Sequence, residues 1–189
     1  LREAVVSSSK RPLFLSLMAG TTTAKIEALI GEGTRVVRSM PNTPALIGEG
    51  ITGFAPGRHA TGADLALAEA ILGAVGTAVR VEEAQLDAVT AVSGSGPAYV
   101  YHFLNALIEG GIEQGLDPET AKRLAVQTAV GAAKMVGASD LSPVALADQV
   151  KSPGGTTLAG CSVLAEADWE GTIRKAVAAA RKRAGELSA

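Results

Sequence analysis

Cysteine is nearly absent: Cys161 stands alone in 189 residues. No disulfide can form within the chain, and a single thiol fits a reducing compartment. Aromatic residues are scarce at 3%, although hydrophobic residues make up 47%. An interior must therefore be built from Ala, Val, Leu and Ile, whose small side chains let helices approach closely. Neither sign of charge dominates, with 17 basic against 19 acidic residues, which argues against a nucleic-acid surface. No uninterrupted apolar run approaches the roughly 18–20 residues of a membrane-spanning helix. The opening LREAVVSSSKRP has neither a Met nor the apolar centre of a signal peptide. His59 and His102, with one remote cysteine, give no metal-ligand spacing, and no arrangement for nucleophilic catalysis stands out. The expectation is a cytoplasmic chain with no metal and no nucleic-acid or membrane partner.

What is present divides in two. Residues 1–82 read as alternating strand and helix. Leu13 to Met18 is a short apolar run suited to a buried parallel strand. Thr23 to Ile30 has helical spacing in Ile26, Leu29 and Ile30, and Gly31 stops it. Arg35 to Ser39, Ile51 to Ala55 and Ala78 to Val81 read as further strands. Thr61 and Asp64 form a capping-box pair opening a helix through Leu72. This is the pattern of a parallel or mixed sheet covered by helices.

Residues 83–189 read as helix only. Val100, Phe103, Leu104, Leu107, Ile108 and Ile112 make one apolar stripe. Asp117-Pro118 and Ser142-Pro143 are helix starts, each a capping side chain followed by proline at the first helical position. The helix after Asp117 is apolar nearly all round, with a narrow polar edge at Arg123, Gln127 and Lys134. A second subunit is expected to cover it. Asp168 is expected to cap the last helix, whose basic residues between Arg174 and Arg183 read as a solvated face.

The stretch Lys151 to Leu164, KSPGGTTLAGCSVL, sets Ser152, Thr156 and Thr157 around Gly154 and Gly155. Paired glycines let the backbone turn sharply and approach a ligand. The first amides of the following helix lack intrahelical acceptors and carry the positive end of its dipole, so a carboxylate or phosphate would fit there. A ligand-free, Gly-rich helix start is the alternative reading. A literal G-x-G-x-x-G occurs at Gly48 to Gly53. It is rejected as a dinucleotide fingerprint, because prolines precede it and a strand-like run follows where a helix is needed.

SPGGTT resembles the signature of the pyrroline-5-carboxylate reductase family. So, in the same order, do MAGTT at Met18 to Thr22, RSMPNTPALIGEG at Arg38 to Gly50, SGSGPAYVYHFLNALIEGG at Ser93 to Gly111 and GAAKMV at Gly131 to Val136. Lys151, where a small residue is usual, and Cys161, where an aliphatic is usual, depart from the pattern. The resemblance implies the latter part of a Rossmann domain over residues 1–82. An all-helical dimerisation and substrate-binding domain of the 6-phosphogluconate-dehydrogenase-like kind would cover residues 83–189. It also implies that the family's Gly-rich first turn would precede Leu1, so that the chain reads as shortened at its N-terminus. Such a chain alone is expected to bind cofactor weakly and to be inactive.

By the same resemblance, the activity is reduction of the cyclic imine 1-pyrroline-5-carboxylate to L-proline with hydride from NADPH or NADH. Amides around Gly154, Gly155, Thr156 and Thr157 would bind the substrate carboxylate, and the Thr157 hydroxyl would hold the ring nitrogen. Ser152 either orders the loop or caps a turn. Glu83 matches a family position near substrate, where a carboxylate could favour the iminium; the alternative is an acid in the first turn of a helix. Met18, Ala19 and Gly20 would touch the cofactor, as would Asn42 in the MPNTP loop and Gln149, unless MPNTP is only a rigid turn. The expected partner is a second copy, as a homodimer or a larger homo-oligomer. Two other readings stay open: a related imine or hydroxyacid reductase, and a non-catalytic oligomerisation fragment.

Overall fold

The computed structural model describes residues 12–188. The opening stretch through Arg11, contrasted above with a signal peptide, lies outside the described residues, as does Ala189. The chain divides into two compact units, one of residues 12–97 with 175–188 and the other of residues 98–174.

The first unit is built on four strands, β1 (Leu13–Ser16), β2 (Arg35–Met40), β3 (Gly50–Pro56) and β4 (Gly76–Arg80), in that spatial order. β1 and β2 run parallel with Leu13 opposite Arg35, β2 and β3 run antiparallel, and β3 and β4 run parallel. The sheet is thus mixed. β1 ends at Ser16, two residues before the apolar run does, and Leu17 and Met18 are exposed.

Both faces of this sheet are covered. Side chains alternate across a strand, so the neighbours Val36 and Val37 point to opposite sides. Val36 meets Ile26 and Ile30 of helix α1 (Thr23–Ile30), and Val37 meets Phe54 together with Ala68 and Leu72 of helix α2 (Gly62–Gly73). Thr61 caps α2 by the expected capping box with Asp64, and Arg35 pairs with Asp64 at 2.9 Å. The Thr61 backbone amide and then its hydroxyl, both donating to Asp64, hold that carboxyl below its ordinary value, with the Arg35 charge adding to them against the effect of burial.

Strands end where the sequence reading ends them, before Glu83, but the compact unit runs on. A 3-10 turn at Glu83–Gln85 leads to helix α3 (Leu86–Val89), which returns to the sheet. Leu86 is buried, and a Cβ added at Gly53 of β3 would strike Val89. A wide π turn, Thr90–Gly94, follows. The C-terminal part of the last helix also belongs to this unit.

The remaining helices are α4 (Gly96–Glu113), α5 (Pro118–Ala138), α6 (Pro143–Gln149), α7 (Thr156–Glu166) and α8 (Trp169–Ser188). Asp117 caps α5 by accepting from Glu119 N and Thr120 N, each at 3.1 Å, and Ser142 caps α6 by accepting from Ala145 N. Asp168 precedes α8 in a left-handed conformation, φ 47°, with its carboxylate over Gly171. In the second unit the only buried hydrophobic residues among those described are Ala121 and Ala125, and Ala121 lies against Gly111 of α4. These alanines thus serve contacts within the chain. Leu124, Val126, Val130 and Met135 on the same helix are exposed. Arg174 and Arg183, on the basic face of α8, are exposed and pair with Glu170 and Glu186.

Candidate active site

Met18, Ala19, Gly20, Asn42 and Glu83 belong to the first unit, and Gln149 with Ser152, Gly154, Gly155, Thr156 and Thr157 to the second. In the first, β1 hands over to α1 through a six-residue turn, residues 17–22. A ligand approaching the C-terminal end of a parallel strand meets such a turn first. Thr22 closes it as the N-cap of α1, accepting from Lys25 N at 3.2 Å. Gly20 sits at φ +70°, and a Cβ there would lie 2.7 Å from the Leu187 carbonyl oxygen of α8. Only glycine meets both demands. Met18 and Ala19 are exposed beside it.

Asn42 leaves β2 and precedes a short 3-10 turn, Thr43–Ile47. Its side-chain oxygen accepts from Ile51 N of β3 at 2.9 Å. MPNTP is thus a turn tied to the sheet, and the Asn42 carboxamide nitrogen donates no hydrogen bond among the described residues. The G-x-G-x-x-G run ends the 3-10 turn at Gly48 and becomes β3. No helix opens at its end, as the sequence reading expects.

Glu83 is held by neighbours. Its Oε1 accepts from Thr23 N and its Oε2 from Thr23 Oγ1, each at 2.7 Å, while Arg38 Nη1 stands 3.5 Å from Oε1. Three other members of this cluster, Arg38, Thr23 and Asp87, escaped the sequence reading. A signal was present: an arginine inside the apolar strand RVVRSM calls for acidic partners, and Glu83 and Asp87 are spaced one helical turn apart.

In the second unit the SPGGTT loop makes a tight turn. Gly155 N donates to Ser152 O at 2.9 Å, and Gly154 adopts φ +69°. A Cβ on Gly155 would run into the Ser152 hydroxyl, so the serine packs on the glycine it helps to turn. Gly155 is the N-cap of α7 and supplies no side chain, which leaves the first amides of the helix, from Thr156 to Leu158, without a side-chain acceptor. The Thr157 hydroxyl, half-buried, makes no hydrogen bond within the chain among the described residues. Lys151, at the entrance of the loop, gives its charge to Asp148, with Nζ 2.8 Å from Oδ1, and this hydrogen bond raises the ammonium above its ordinary value. Gln149 ends α6 and is exposed. Cys161 lies half-buried in α7. Among the described residues no cluster of His, Cys, Asp and Glu is suited to a metal ion, and no helix is long and apolar enough to cross a membrane.

Comparison with known proteins matches residues 83–187 to the family model "Pyrroline-5-carboxylate reductase dimerisation". The chain is 45% identical over 175 residues to the pyrroline-5-carboxylate reductase of Methanosarcina acetivorans, covering 93% of this chain and 65% of that protein. It is 42% identical over 183 residues to that of Synechocystis, covering 97% and 68%. It thus spans about two thirds of the length of the curated relatives it matches. Among solved structures, the Plasmodium falciparum pyrroline carboxylate reductase with NADP bound matches at a TM-score of 0.92 and 33% identity, covering 100% of this chain and 74% of that one. The Coxiella burnetii pyrroline-5-carboxylate reductase matches at 0.91 and 40%, covering 100% and 69%.

Proposed function

Since the chain belongs to the pyrroline-5-carboxylate reductase family, we propose that the protein of which it forms part reduces 1-pyrroline-5-carboxylate to L-proline. The observation that carries this reading is the uncapped start of α7, with a free hydroxyl at Thr157 one residue inside it. A cyclic imino acid presents a carboxylate and a ring nitrogen a few ångströms apart. The amides from Thr156 to Leu158 are donors for the first, and the Thr157 hydroxyl is a donor or acceptor for the second. Gly154 and Gly155 let the backbone come close, and Ser152 fixes their turn. The reaction asks for orientation, not for a nucleophile, and the loop's backbone amides supply orientation without mobile side chains.

A nicotinamide cofactor, NADPH or NADH, supplies hydride to the imine carbon when bound. Residues of the first unit suit such a group: Met18 and Ala19 are exposed at the end of β1, Gly20 keeps the backbone bare, and Asn42 retains a donor. NADP in the Plasmodium relative supports the same assignment. Gln149 is a further candidate contact. The exposed apolar faces of α5 and the family model's dimerisation region favour a homodimer or larger homo-oligomer, and the family favours a cytoplasmic enzyme. Glu83, both of whose oxygens are engaged with Thr23, fits direct substrate contact less well.

Steady-state kinetics of the complete gene product test this reading. Thr157→Ala removes one positioned hydroxyl worth roughly 1–3 kcal/mol, so kcat/KM for the imine falls by about 5- to 150-fold while the melting temperature holds. An unchanged kcat/KM removes Thr157 from the site, and absence of imine reduction by the wild type refutes the activity.

A further inference from the structure

Arg38 is 5% exposed in the middle of β2, between Val37 and Ser39, which are buried too. A guanidinium withdrawn from water is tolerated where carboxylates answer it. Here two do: Nη1 is 3.5 Å from Glu83 Oε1, and Nη2 is 3.8 Å from Asp87 Oδ1. Both carboxylates reach further. Glu83 accepts the amide and the hydroxyl of Thr23, the first residue of α1. Asp87 accepts from Ser188 Oγ at 3.2 Å, and Lys25 of α1 donates to Ser188 O at 3.0 Å.

These contacts surround the turn at residues 17–22. At its near end Ser39 Oγ donates to Ser16 O at 2.9 Å, and Ser16 lies opposite Arg38 in the β1–β2 register. At its far end Thr23 is held by Glu83. Against its middle lies the Leu187 carbonyl, where a Cβ on Gly20 would collide. The turn is thus strung between two anchors that both trace to neighbouring residues of β2, and the end of α8 supports it between them.

We propose that Arg38 and Glu83 are positioning residues. The guanidinium holds the Glu83 carboxylate against the first amide of α1, and so fixes how the Met18–Gly20 turn is presented to the nicotinamide cofactor. This rests on the reading above that the turn lies against that cofactor, and it moves Glu83 from substrate contact to support of the cofactor side.

The test is steady-state kinetics on the complete gene product, with imine and cofactor varied separately. Thr23→Val keeps the shape and the amide but deletes one donor to Glu83; its cofactor KM rises about threefold. Glu83→Gln and Arg38→Met raise it about tenfold, with the imine KM unchanged within about twofold. Arg38→Lys, which restores the charge, recovers part of the loss. Should Arg38→Met fail to fold, Thr23→Val and Arg38→Lys carry the comparison. A Glu83→Gln variant with a raised imine KM and an unaltered cofactor KM puts Glu83 on the substrate and overturns the proposal. A cofactor KM unmoved in Thr23→Val and Arg38→Lys overturns it equally. If the wild type does not reduce the imine, the functional reading fails by itself. NADPH fluorescence titration of the same variants then decides the positioning, which a weaker affinity supports and an unchanged one overturns.

Discussion

The two compact units bury their apolar residues by different means. In the first, the consecutive residues Val36 and Val37 are both 0% exposed because the sheet has a helix on each face. In the second, burial falls on alanines: Ala121 is 3% exposed and Ala125 4%, whereas Leu124 is 54%, Met135 58% and Val163 65% exposed. A buried methylene contributes about 0.8 kcal/mol, so alanine contacts stabilise far less than the valine, leucine and phenylalanine of the sheet. One unit closes its own core. The other holds its large side chains outward, as an interface awaiting a surface does.

A pair of truncations sharpens that contrast most. Phe54→Ala opens a cavity in the closed core and costs about 3–5 kcal/mol in urea denaturation, whatever the protein concentration. Leu124→Ala costs within about 0.5 kcal/mol at high dilution, as an exposed residue does, and more as concentration rises and the surface is covered. Equal costs at high dilution would mean that the helical unit has a closed core after all.

A smaller effect belongs to the first unit alone. The carboxyl of Asp64 is held below its ordinary value chiefly by the Thr61 amide. A depressed folded-state value contributes stability above the unfolded value of about 4, and that contribution is lost as pH falls through the folded value. Asp64→Asn therefore lowers stability at neutral pH and flattens the acid side of the stability profile. Parallel acid limbs for the variant and the wild type would show that Asp64 carries no such linkage.

Local chemistry was the legible part of this chain. Thr61 with Asp64, Asp117 before Pro118 and Ser142 before Pro143 each cap the helix expected of them, because a cap depends on residues two or three apart. α1 begins at Thr23 and ends at Ile30 as its periodicity predicts. The SPGGTT loop was legible through its glycines, which the turn at Gly154 requires. Long-range pairings were not. Nothing near Glu83 in sequence points to Thr23, sixty residues away, and nothing near Asn42 points to the Ile51 amide. The antiparallel step from β2 to β3 depends on which strands meet, which strand patterns alone leave open. The apolar circumference of α5 was legible, but not that its residues Ala121 and Ala125 are buried within the chain.

Sedimentation equilibrium across about a hundredfold range of concentration, on the chain and on Val130→Glu, tests most directly whether the helical unit is completed by a second copy. Val130 is exposed on α5, so the substitution is tolerated in an isolated chain, but it buries an unpaired carboxylate wherever that face is covered. The wild type is expected to sediment as a dimer or larger, with a melting temperature that rises with concentration, and Val130→Glu to shift toward monomer and melt lower. A wild-type monomer whose melting temperature does not move with concentration, matched by Val130→Glu, would contradict it.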